Sequence, residues 1–224
     1  MLTEQCMRGL GMPYRAVPIP ETSRASDRRY GLSSADDAAR YGYHLPPEPL
    51  FDPHEGLSAE TLSALYGRSS GSTGNPAPKG KVPPRGCRGQ AVEALSSKHR
   101  YTVGAEIASD IANRSYQESR QDRRVRAAVN RWSSCMAEHS YSYPDPMASL
   151  GDKRFLGKEV TNQEIETAQA DLDCKSRTWL LQIWYSVEAD IQKDRIAQHS
   201  EELEKLEKAH VSKIAEARQI TSQG

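Results

Sequence analysis

Four cysteines and six histidines carry most of the reactive chemistry in this 224-residue chain. The cysteines are Cys6, Cys87, Cys135 and Cys174, and none belongs to a CxxC pair, the spacing of zinc fingers and thioredoxin-type redox sites. Their neighbourhoods repeat instead. Cys6-Met7 and Cys135-Met136 each lead into tyrosines and prolines (Tyr14, Pro13 and Pro18; Tyr141, Tyr143, Pro144 and Pro146). Cys87 and Cys174 are each followed directly by a base, Arg88 and Lys175. A degenerate duplication with one bridge per half predicts Cys6–Cys87 and Cys135–Cys174, one of three possible connectivities. The alternative is four buried thiols in a cytosolic chain, since free cysteine packs as a small apolar residue. Bridges require an oxidising compartment.

The histidines (His44, His54, His99, His139, His199 and His210) include no pair at metal-ligand spacing on one helix face, so no metal or other cofactor is expected. His139 follows Cys135 by four residues. That spacing suits a thiolate–imidazole pair, but a bridged cysteine beside a histidine at a helix end, where the dipole favours a cation, is the preferred reading. Asp36-Asp37 and the Asp171/Asp173 pair read as helix-start or solvated charges. GxSxG, HExxH, GxGxxG and Walker patterns do not occur, so no catalytic residue is assigned. Tyr30, Tyr41, Tyr43 and Tyr66, with Pro46, Pro47 and Pro49, form an aromatic-proline set. It offers a recognition surface, or else large side chains that pin loops onto helices.

These residues need elements to hold them. Ser34 before Asp36 and Asp37, with Gly42 after, marks a short helix; Ser58 to Tyr66, closed by Gly67, marks another. Residues 68–86 are rich in Gly, Ser, Pro and Lys and read as a mobile linker. Residues 87–98 are a plausible helix, and 104–139 a long one with Ile107, Ile111, Val125, Ala128, Val129, Trp132 and Met136 on one face. After a connector over 140–160, Thr161 and Glu164 form a capping box, the hydroxyl meeting the Glu164 N–H and the carboxylate reaching back. From there a stripe of apolar residues runs without Pro or Gly to Ile220 at coiled-coil spacing. If Cys135 meets Cys174 in an antiparallel hairpin over about 104–205, Val125 falls opposite Trp184 and Ile107 opposite Leu203.

Leu, Ile, Val and Phe supply only 36 residues, so a thin core is expected. Thirty bases balance thirty acids, which argues against a nucleic-acid partner. No run of 18 apolar residues occurs, so no membrane span is expected. Met1 to Cys6 lacks the basic and apolar regions of a signal peptide. Export is therefore expected with the signal segment absent from this chain.

The combination of Cys-Met before tyrosine, Arg29-Tyr30-Gly31-Leu32, Tyr41-Gly42-Tyr43-His44, Gly86-Cys87-Arg88, Trp132 to Met136 and Ala170 to Lys175 resembles a group of uncharacterised secreted or lipoprotein-like envelope proteins of high-GC actinobacteria. The resemblance spans most of the chain. It implies an envelope location, often alongside export or cell-wall systems, and no catalytic residue.

The sequence thus predicts one mainly α-helical, disulfide-stapled domain over 1–224. It has a loop-rich, proline-rich part over 1–67, the linker over 68–86, and an antiparallel long-helix hairpin with a long C-terminal helix over 87–224. The expected function is a non-enzymatic, extracytoplasmic interaction or structural protein. It engages a protein partner through the C-terminal helix, or self-associates there. The alternatives are a cell-wall hydrolase with a site in loops 27–66 and a cytosolic coiled-coil adaptor.

Overall fold

A computed structural model describes residues 1–17, 28–47, 52–67, 82–96 and 102–222. The expected linker over 68–86 lies outside these residues from 68 to 81, as do the last two residues of the helix expected over 87–98. Among the described residues the regular structure is helical, without a strand. The helices are α1 (Leu2–Gly9), α2 (Ala35–Tyr41), α3 (Ala59–Tyr66), α4 (Gly86–Ser96), α5 (Thr102–Ser119), α6 (Arg123–Glu138), α7 (Pro146–Leu150), α8 (Asn162–Thr178), α9 (Leu180–Gln198) and α10 (Ser200–Ser222), with a 3₁₀ turn at Lys153–Phe155. None of the described helices is long and apolar enough to cross a membrane.

The chain divides into two compact units. One comprises 1–20, 50–106 and 201–224. Here α1 packs on α3 and α4, and α3 on α4. Cys6 of α1 is bonded to Cys87 of α4. Met7, Ala64, Leu65 and Cys87 form a buried core, flanked by Leu10, Met12, Tyr14 and Leu57. The backbone leaves α3 and enters α4 through two glycines in the left-handed region, Gly67 (φ 79°) and Gly86 (φ 66°). A Cβ on Gly86 would stand 2.3 Å from the Leu65 carbonyl oxygen, and one on Gly67 2.5 Å from that of Pro84. This crossing therefore admits only glycine.

The other unit comprises 21–49 and 107–200. In it α6 lies against α8 and α9, and α2 against α8. Val125, Ala128, Trp132, Cys135 and Met136 of α6 meet Ala170 and Cys174 of α8 and Leu180, Trp184 and Val187 of α9. A second cluster joins Leu32, Ala38 and Tyr43 to Phe155 and Ala168. Cys135 is bonded to Cys174, tying α6 to α8 inside this core.

The two long helices expected from periodicity are divided. The 104–139 stretch breaks at Arg120–Asp122, where Asp122 turns its carboxylate to the Arg124 N–H and caps α6. The C-terminal stripe breaks at Trp179, which takes the left-handed conformation (φ 56°, ψ 29°) and closes α8. It breaks again at His199, between α9 and α10. A side chain that caps locally or a single left-handed residue ends a helix without disturbing the apolar spacing. The periodicity therefore survived the breaks.

Candidate functional site

Below the surface, the second unit is held by four buried charged residues on α8 and α9, each tied to the segment between Arg28 and His44. Asp171 accepts from the Trp132 indole Nε1–H (2.9 Å), from the Tyr43 hydroxyl (3.4 Å) and from Lys175 Nζ (3.0 Å). Lys175 also donates to the Leu32 carbonyl (2.8 Å). Burial pushes the Asp171 carboxyl up and the Lys175 ammonium down, against their mutual attraction and hydrogen bonds. One turn-pair earlier on α8, Glu164 accepts from the Tyr43 N–H (2.8 Å) and pairs with His44 Nδ1 (2.7 Å). On α9, Glu188 accepts from Arg29 Nε (2.7 Å) and from Gln192 Nε2 (2.8 Å). Arg29 lies over the Tyr116 ring, 5.1 Å from its centroid.

Glu164 departs from the capping box. Its N–H does meet Thr161 Oγ1 (3.1 Å), but its carboxylate turns inward to Tyr43 and His44. Gly42 makes room for that turn, since a Cβ there would lie 2.7 Å from Glu164 Cγ. His44 Nε2 faces the Gly157 carbonyl (2.8 Å) while Nδ1 faces Glu164, so both ring nitrogens meet acceptors. The Gly157 carbonyl, and then Glu164, raise the imidazole pKa above its ordinary value, with Arg28 nearby opposing. A histidine bonded in this way is committed as a donor on both sides.

On the surface above this network, a groove of 270 Å³ opens beside the start of α9, lined by Tyr30, Gly31, Ser33, Leu181, Gln182 and Tyr185. No charged residue lines it among the described residues. Tyr30 is fixed from below, its ring 5.2 Å from Trp184, which donates its indole N–H to Ser119 Oγ (2.8 Å) and stacks on Tyr116 at 5.7 Å. Burial raises the Tyr30 phenol well above its usual pKa, so it remains a neutral hydroxyl. Tyr185 is 65% exposed and Trp179, at the left-handed junction, 64% exposed. An apolar ring face with neutral polar groups around it suits non-covalent recognition.

The four tyrosines singled out in the sequence are placed differently from one another. Tyr43 is buried, stacks on Phe155 at 5.7 Å, and spends its hydroxyl on Asp171. Tyr30 floors the groove, and Tyr41 is half-buried on α2. Tyr66 belongs to the other unit; there it is exposed, with its hydroxyl meeting His54 Nε2 (2.6 Å) and Arg88 (3.1 Å). Trp179 and Tyr185, both inside the long apolar stripe after Thr161, are exposed rather than part of the core. A glycine-free helix break, which turns Trp179 outward, leaves no signature in composition. All four cysteines are bridged, in the expected pairs. Comparison with protein-family models, with curated proteins and with solved structures gives no match.

Proposed function

We propose that the chain is a non-enzymatic, extracytoplasmic interaction module of the cell envelope. Two sets of exposed apolar residues do the binding: Trp179 and Tyr185 near the start of α9, and Val211 and Ile214 of α10. The observation that carries this reading is the bonding of every cysteine, because such bridges persist outside reducing compartments. The surface chemistry favours binding over bond-breaking. The α9 groove offers aromatic and neutral polar groups, and His44, the base a hydrolase site in loops 27–66 would draw on, has both nitrogens engaged. Val211 and Ile214, three residues apart on one helix face, provide an anchor pair for a protein partner or a second copy of the chain.

The test is cosedimentation of the purified, oxidised chain with washed cell-envelope fragments. The expected result is binding that Trp179→Ala/Tyr185→Ala reduces at least about tenfold, the size of a lost aromatic hot spot, with helicity unchanged. A chain that stays in the supernatant, or binding indifferent to both this variant and Val211→Asp/Ile214→Asp, contradicts the reading.

A further inference from the structure

The Cys135–Cys174 bridge stands beside two further side chains that ligate metals. His139 follows Cys135 by one helical turn and caps the C-terminal end of α6; Asp173 precedes Cys174 on α8. A donor atom from each of Cys135, His139, Asp173 and Cys174 lies within 4.8 Å of the other three. A tetrahedral zinc ion bound by two thiolates, an imidazole and a carboxylate has bonds of about 2.0–2.3 Å, hence donor–donor edges of about 3.3–3.8 Å. Once the S–S bond is cut, each sulfur reaches such an edge by rotation about its own Cα–Cβ bond. The two helices already hold the backbone, with the cysteine Cα atoms 5.6 Å apart.

We propose that the bridge and a zinc site are alternative states of this one cluster. In the oxidised state Cys135 and Cys174 share a disulfide; in the reduced state their two thiolates, His139 and Asp173 bind one zinc ion. The interconversion balances with a dithiol as reductant. Its two thiols supply two electrons and two protons, the S–S bond breaks to give two cysteine thiols, and the dithiol becomes its own disulfide. Zinc then displaces the two thiol protons to solvent.

The surroundings favour this use. His139 and Asp173 are 42% and 56% exposed; they approach each other at 3.9 Å and Asp173 approaches Arg177 at 3.7 Å, both beyond ordinary hydrogen-bond length. Both line a groove of 380 Å³ with Glu166, which gives an ion an entry path edged by carboxylates. The end of the α6 dipole adds partial negative charge at His139. Arg177 lies 3.5 Å from Cys135 Sγ and 3.7 Å from Asp173. Its guanidinium promotes thiolate formation and offsets the single negative charge left when three anionic ligands meet a divalent ion.

The experiment uses the Cys6→Ser/Cys87→Ser chain, which retains only this pair, reduced with a phosphine under anaerobic conditions and titrated with Co²⁺ and then Zn²⁺. The expected result is one Co²⁺ per chain, with tetrahedral d–d bands and thiolate-to-cobalt charge transfer, displaced by Zn²⁺ and absent in the oxidised chain. His139→Ala and Asp173→Asn each weaken binding by more than about tenfold, as loss of ligating or orienting groups does. If the serine variant is unfolded by circular dichroism, the same titration of the reduced full chain against its His139→Ala form decides. Absence of these bands, or bands and affinity unchanged by the histidine and aspartate replacements, overturns the proposal.

Discussion

His44 is the residue whose protonation the structure depends on most visibly. Both its nitrogens face acceptors, the Gly157 carbonyl and the Glu164 carboxylate, and its pKa is raised in the folded state. A raised folded pKa means the contribution is complete below the unfolded value of about 6.5 and is lost as pH climbs through the folded value. Thermal stability should therefore fall as pH rises above about 6.5. His44→Gln should flatten that part of the profile, and an unchanged profile would remove His44 from this role. Lys175 makes a second prediction at this scale. Replacing it with Met leaves Asp171 buried beside Trp132 and Tyr43 without its cation. The expected loss is about 3–5 kcal/mol in denaturant unfolding, whereas replacement of the exposed Lys193, paired at 4.0 Å with Asp190, should change it by less than about 1 kcal/mol.

At the scale of elements, helix ends and crossings hold the architecture. Gly86→Ala places a methyl group 2.3 Å from the Leu65 carbonyl oxygen at a positive φ. It should cost more than about 2 kcal/mol, through strain and displacement of α4 from α3. Much of this level was legible in the sequence. Ser34 and Ser58 cap α2 and α3, and Gly42 and Gly67 close them, because caps and stops depend on one or two local residues. The cysteine pairs were legible through their repeated neighbours. Other features were not. Asp122 starts a helix, and Trp179 and His199 end helices, without Pro or Gly. The capping-box pattern at Thr161 cannot reveal that Glu164 has a stronger use inside the fold. Tyr43 and Tyr66 each stand next to a glycine in the chain, yet one is buried on Asp171 and the other lies on the surface. That difference is set by long-range packing, which local sequence does not encode.

At the scale of the whole molecule, each disulfide lies within one compact unit and closes a long loop, 81 residues for Cys6–Cys87 and 39 for Cys135–Cys174. By chain entropy each stabilises its unit by about 4 kcal/mol, a large share of the stability of a chain with so few aliphatic residues. Reduction should therefore raise amide exchange in both units, while Cys6→Ser/Cys87→Ser should raise it first around α1, α3 and α4.

The most direct test of the central claim is peptide mapping of the non-reduced protein, alkylated at once on recovery from its own cells. The account predicts two cross-linked species, one joining the peptides of Cys6 and Cys87 and the other those of Cys135 and Cys174, with no alkylated cysteine. Four alkylated thiols, or a link from Cys6 to either Cys135 or Cys174, would contradict it.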